Sequence, residues 1–119
     1  MPRLPLELSF GLRTIQVPGI VDIAATVNVL PYSAGVALGA VWEEQLYAGS
    51  LAGNLRGIES RALRVSAKIP ELAETTDVSL VFAWAETDNM SLLLGQTNFL
   101  MEFNVCFYRS NRYFDVWRV

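Results

Sequence analysis

Among the residues able to do chemistry, Asp22 stands apart. It is the only formal charge between Arg13 and Glu43, and it sits in an apolar run, Gly19-Ile-Val-Asp22-Ile-Ala-Ala-Thr-Val-Asn-Val-Leu30. A carboxylate among apolar neighbours is costly unless it is hydrogen-bonded or paired. Two readings follow: a strand-end Asp capping a turn, or a catalytic carboxylate in a tuned environment. The rest of the inventory narrows the field. The 119 residues contain no His, which removes Ser-His-Asp and Cys-His catalysis and His-ligated zinc. One cysteine, Cys106, allows no intrachain disulfide and no cysteine metal cluster, and in its apolar strand it reads as core. Glu43-Glu44 and Glu86/Asp88 lack the spaced ligands of a hard-metal loop and read as solvated acids. No metal and no cofactor is expected. Carboxylates, hydroxyls, tyrosines, Arg and the lone Lys68 remain as the groups any catalysis could use.

Composition bounds the partners. Nine basic residues, eight Arg and Lys68, are scattered against twelve acidic ones, for a net charge of −3, so nucleic acid is not an expected ligand. The N-terminal Met-Pro-Arg-Leu-Pro has neither the basic nor the apolar region of a signal peptide, which points to a cytoplasmic protein. Ile23 to Trp42 carries no formal charge and is long enough to cross a bilayer. It also contains Asn28, Pro31, Tyr32, Ser33, Gly35 and Gly39, and its hydrophobic period changes at Pro31, so no membrane association is expected. The mean hydropathy of +0.31 points instead to apolar surface buried against another subunit.

The elements that must carry Asp22 are mostly strands. Leu4–Leu12 alternates, with Gly11 a bulge or bend. Thr14–Val17 is extended and stops at the Pro18-Gly19 turn signal. Ile20–Val29 reads as a second strand, with Val21, Ile23, Ala25, Val27 and Val29 on one face and Asp22, Ala24, Thr26 and Asn28 on the other. Pro31 opens a short helix over Tyr32–Leu38, which Gly39 ends. Residues 40–47 are ambiguous. Leu51–Gly57 is a turn between strands, with Gly53, Asn54 and Gly57 supplying residues that tolerate positive φ. Ile58–Ile69, Val78–Ala85 and Met90–Leu94 read as strands, and Pro70–Asp77 and Glu86–Asn89 as polar connections. Gln96–Phe103 fits a short helix, and Asn104–Tyr108 with Tyr113–Val119 a C-terminal hairpin. Trp42, Trp84 and Trp117, with Phe82, Phe107 and Tyr108, read as core and interface. The expected class is all-β, one domain over residues 1–119, a small closed barrel or compact sandwich with two short helices.

Three segments together resemble retropepsin-type aspartic proteases. The Asp22 segment followed by a short helix ending in Leu38-Gly39 is similar to that family's Asp-Thr/Ser-Gly-Ala segment, which an apolar pair precedes. Leu92-Leu-Leu-Gly95 and the residues after it are similar to its apolar-apolar-Gly motif, with Leu94 and Gly95 supporting the active-site loop. Leu51-Ala-Gly53-Asn54-Leu55-Arg-Gly57 occupies the place of its flap, which closes on an extended peptide. The resemblance runs in order from about Leu4 to Val119. It implies an acid-protease barrel and a homodimer with Asp22 from each copy. It also implies hydrolysis of an extended peptide by a water held between the two carboxylates. Two positions depart from the motif: Ile23 replaces a cross-bracing hydroxyl and Ala24 a Gly, while Ala25 matches. Three readings stand at this point: an aspartic endopeptidase with activity reduced or lost, by nature or by alteration; a catalytically dead dimeric peptide-binding or scaffold module of the same fold; and an unrelated β-barrel interaction domain in which Asp22 is structural.

Overall fold

The computed structural model describes residues 3–51, 53–70, 77–96 and the strands 103–108 and 113–118. In chain order these form β1 (Arg3–Phe10), β2 (Arg13–Val21), β3 (Asn28–Leu30), helix α1 (Tyr32–Ala37), a 3₁₀ turn (Trp42–Glu44) and β4 (Leu46–Ser50). A second 3₁₀ turn (Gly53–Leu55) follows, then β5 (Glu59–Lys68), β6 (Val78–Ala85), β7 (Leu92–Leu94), β8 (Phe103–Tyr108) and β9 (Tyr113–Arg118). The main sheet runs β1-β2-β7-β3-β6-β5, and β1 pairs back onto β5 through Glu7–Ser9, closing a six-stranded barrel. β4 hangs from β5 as an antiparallel arm, and β8 and β9 form their own two-stranded sheet.

The alternation of the strands fills the barrel. Leu4, Leu6 and Leu8 of β1, Leu63, Val65 and Ala67 of β5, and Val78, Leu80, Phe82 and Trp84 of β6 point inward and are buried. Period-2 burial of this kind removes apolar surface from water on one face and leaves Arg64, Ser66, Lys68, Ser79 and Val81 outside. The expected β1 ends two residues early: Gly11-Leu12 is a two-residue turn closed by the pair Phe10–Arg13, with Gly11 at φ 59°. β2 does not stop at Pro18-Gly19. Pro18 lies opposite Pro5, and neither reaches the stretch where its strand pairs with a second neighbour, so the missing N–H groups break no further ladder.

α1 closes one side of the barrel through a cluster of rings. Trp84 donates its indole N–H to the Tyr32 carbonyl at 3.0 Å and stacks on the Tyr32 ring, with centroids 5.6 Å apart. Trp42 meets Trp84 edge-on at 5.0 Å, and Arg61 lies 5.2 Å over Trp42 while donating to the Trp42 and Gln45 carbonyls. Gly35 permits this approach, since a Cβ there would stand 2.1 Å from the Trp84 ring. Trp42, Trp84 and Phe82 are thus structural, as expected; the side chains of Cys106, Phe107, Tyr108 and Trp117 lie outside the described residues. Most of the expected Gln96–Phe103 helix also lies outside them, and Phe103 itself opens β8.

Candidate functional site

The expected strand Ile20–Val29 is interrupted, and the interruption carries the candidate site. β2 ends at Val21, and residues 22–27 form a loop before β3. Asp22 itself makes the turn. Its Oδ1 accepts from the Ala24 N–H at 3.0 Å, and its carbonyl accepts from the Ala25 N–H at 3.1 Å. A short acid that satisfies its own downstream amides competes with a sheet ladder. Ile23, Ala25 and Val27 therefore do not share a buried strand face: Ile23 is 59% exposed and Val27 39%.

β7 inserts between β2 and β3, parallel to the first and antiparallel to the second. That places Leu92–Gly95 directly behind the Asp22 loop. Asp22 donates its N–H to the Leu94 carbonyl at 3.0 Å. Gly95 packs so closely that a Cβ would lie 2.5 Å from the Val27 oxygen and 2.9 Å from the Ala25 oxygen. Its N–H is donated to Asn28 Oδ1 at 2.8 Å, and Asn28 Nδ2 donates to the Val81 carbonyl at 3.1 Å. Asn28, fully buried, thus ties the far end of the loop to both β7 and β6. Gln96 donates its N–H to the Ala25 carbonyl at 3.0 Å and its side-chain amide to the Ile23 carbonyl.

The β4–β5 hairpin arches over this loop. Its tip is built from short-range bonds, Arg56 N–H to Gly53 O, Ile58 N–H to Leu55 O and Leu51 N–H to Ile58 O, with Gly53 at φ 65° and Gly57 at φ 88°. Between loop and hairpin lies a cleft of about 430 Å³. Asp22, Ala24, Ala25, Thr26, Val27, Val29 and Leu93 line one wall, and Leu51, Gly53 and Leu55 the other. Asp22 is the only carboxylate lining it among the described residues, and the remaining walls are largely apolar.

Of the residues expected at the site, Asp22, Ala24, Ala25, Gly53 and Leu55 therefore share one cleft. Leu94 and Gly95 stand behind the loop as supports, and neither Ile23 nor Gly57 lines the cleft. Asn54 lies in the 3₁₀ turn at the hairpin tip. Two residues of the loop's framework were not singled out from the sequence, Asn28 and Gln96. Asn28 is the lone amide in an apolar run, which is a legible signal of a buried hydrogen-bonding hub; Gln96 has no comparable signal. Elsewhere, a recess of about 240 Å³ is lined by Tyr32, Glu86, Thr87 and Asp88, but Asp88 accepts the Ser33 N–H at 2.8 Å and so caps α1. Among the described residues no three His, Cys, Asp or Glu side chains converge as a metal set, and no helix is long and apolar enough to cross a membrane.

This architecture is the all-β barrel of retropepsin-like proteases. The chain is similar to the crystal structure of a retropepsin-like aspartic protease from Rickettsia conorii, with a TM-score of 0.55 and 17% sequence identity. The match spans 86% of this chain and 72% of that one. No family model and no curated protein matches the sequence.

Proposed function

We propose that the chain is an aspartic endopeptidase that works as a homodimer, one 119-residue domain per copy, with Asp22 of each copy forming a shared dyad. The observation that carries this reading is the cleft: a lone, half-buried carboxylate, oriented by its own loop, faces the tip of a hairpin across an apolar channel. One carboxylate is half of what the chemistry requires. Two carboxyl groups held close cannot both ionise, so the pair shares one proton. The ionised member takes a proton from a water held between them as the water oxygen bonds to the scissile carbonyl carbon. The protonated member gives its proton to the carbonyl oxygen. Return of a proton to the amide nitrogen breaks the C–N bond, leaving an acid and an amine at the cost of one water. The hairpin would pair with the extended peptide and exclude bulk solvent.

Ile23 and Ala24 favour a second reading, the same dimeric fold binding a peptide without cleaving it. Ile23 brings no hydroxyl to brace one active-site loop against its neighbour. Incubation with a peptide library at pH 4–6 separates the two. Cleavage that is abolished by Asp22→Asn and by a statine-type inhibitor establishes the peptidase. Peptide binding with no cleavage, unchanged by restoring Ile23→Thr with Ala24→Gly, establishes the binder.

A further inference from the structure

The residues leaving β7 hold the Asp22 loop, and one of them does so with its side chain. Ile23 C=O and Ala24 N–H belong to a single planar peptide unit. Gln96 grips one end of that plane, donating its side-chain amide to the Ile23 carbonyl. The Asp22 carboxylate holds the other end, with Oδ1 3.0 Å from the Ala24 nitrogen. The next carbonyl, that of Ala25, accepts the Gln96 backbone N–H at 3.0 Å. The plane cannot rotate without disturbing both of its bonds together, and a donor on the carbonyl end polarises the N–H that the carboxylate receives.

We infer that Gln96 is a positioning residue, setting the orientation of the Asp22 carboxylate through the Ile23–Ala24 peptide. Asp22 Oδ1 is thereby committed to the loop, in a residue that lines the cleft. The restraint itself follows from the hydrogen bonds; its consequence for turnover rests on the peptidase reading.

Gln96 is exposed, so Gln96→Ala leaves the barrel intact. Amide hydrogen exchange in the full chain reads the restraint directly. Gln96→Ala should speed exchange at Ala24 by about 3- to 10-fold, the effect of losing one solvent-accessible hydrogen bond, while Leu8 and Leu80 in the barrel stay unchanged. Gln96→Glu supplies a pH-dependent rescue. Ionised, it is acceptor-only and should behave as Gln96→Ala at pH 7; protonated, below about pH 4, its O–H donates again and Ala24 should return to the wild-type rate measured at the same pH. On a cleaved peptide, Gln96→Ala should lower kcat by about 10-fold with KM changed less than about 3-fold. Unchanged Ala24 exchange in Gln96→Ala, or Gln96→Glu tracking Gln96→Ala at every pH, overturns the restraint. A wild type that cleaves while kcat of Gln96→Ala is unaltered overturns the positioning role. A wild type that shows the exchange pattern and cleaves nothing overturns the peptidase reading and leaves the restraint standing.

Discussion

Gly95→Ala tests whether the loop bearing Asp22 is held by contact with β7. The added Cβ would lie 2.5 Å from the Val27 oxygen, 2.7 Å from the Val27 carbonyl carbon and 2.9 Å from the Ala25 oxygen. Ordinary contact begins near 3.4 Å, so the Val27 carbonyl would have to retreat by about 0.9 Å. All three atoms are backbone and cannot swing aside as a side-chain tip can. Moving them pulls on the bonds from Gly95 N–H to Asn28 Oδ1 and from Gln96 N–H to the Ala25 carbonyl. Overpacking of this kind costs about 1–3 kcal/mol, and an orphaned buried donor adds about 1–3 kcal/mol. We expect a loss of about 2–6 kcal/mol, out of the roughly 5–15 kcal/mol that holds a domain together. Thermal unfolding should show it as a Tm lower by roughly 10–20 °C. Two glycines serve as controls. A Cβ at Gly19 meets only Leu methyl groups, Leu6 Cδ1 and Leu92 Cδ2 at 3.0 Å and Leu94 Cδ1 at 3.1 Å, which can shift; Gly19→Ala should cost about 1 kcal/mol. At Gly53 a Cβ meets nothing within 4 Å, and the cost is the φ of +65°, about 1 kcal/mol. If Gly95→Ala melts within a few degrees of Gly19→Ala, the loop is not pinned against β7, and the account of how Asp22 is positioned fails.

Further outcomes follow from the same contacts. Asn28→Leu removes the acceptor for the Gly95 N–H and the donor to the Val81 carbonyl, and should cost about 2–4 kcal/mol by denaturant titration; a change under 1 kcal/mol would show the hub to be dispensable. Gly35→Ala forces a Cβ to 2.1 Å from the buried Trp84 ring and should cost about 3 kcal/mol or more, with Trp84→Phe partly restoring stability in the double variant. Tyr47, on β4, has its pKa raised from 10.0, first by the hydrogen bond to Glu59. A raised folded pKa favours the neutral phenol, so its small contribution to stability is present below about pH 10 and is lost as pH rises through the folded value. Absorbance titration of the tyrosinates should therefore show Tyr47 as a component whose midpoint falls in Glu59→Gln; no change would mean that the arm pairs differently.

Much of the barrel was legible because its strands obey period-2 burial. Apolar content predicts Val78–Ala85 with its observed ends, and Gly39 follows α1 at φ 81°, the conformation its place after the helix calls for. Errors arose where backbone chemistry outweighed side-chain pattern. Apolar alternation continues from Val21 to Val29, yet Asp22 folds the chain onto its own amides, and no hydrophobic count registers that competition. Pro18-Gly19 signals a stop in the sequence, but a missing donor matters only if a neighbour needs it, and neighbours belong to the tertiary structure.

The sequence by itself determined the kind of chemistry available. With no His and one Cys, imidazole catalysis and cysteine metal clusters are excluded, and among the carboxylates that remain beside hydroxyls, tyrosines, Arg and Lys68, Asp22 is the one set apart by its apolar surroundings. Asp22 and the hairpin tip are distant in sequence and meet only when β1 closes onto β5 and the β4–β5 arm swings over the loop. The roles of Asn28, Gly95 and Gln96 were likewise decided in three dimensions, because each acts through a partner on another element. Hydrogen bonds and close backbone approach depend on distance and direction, which a linear order of residue types does not encode.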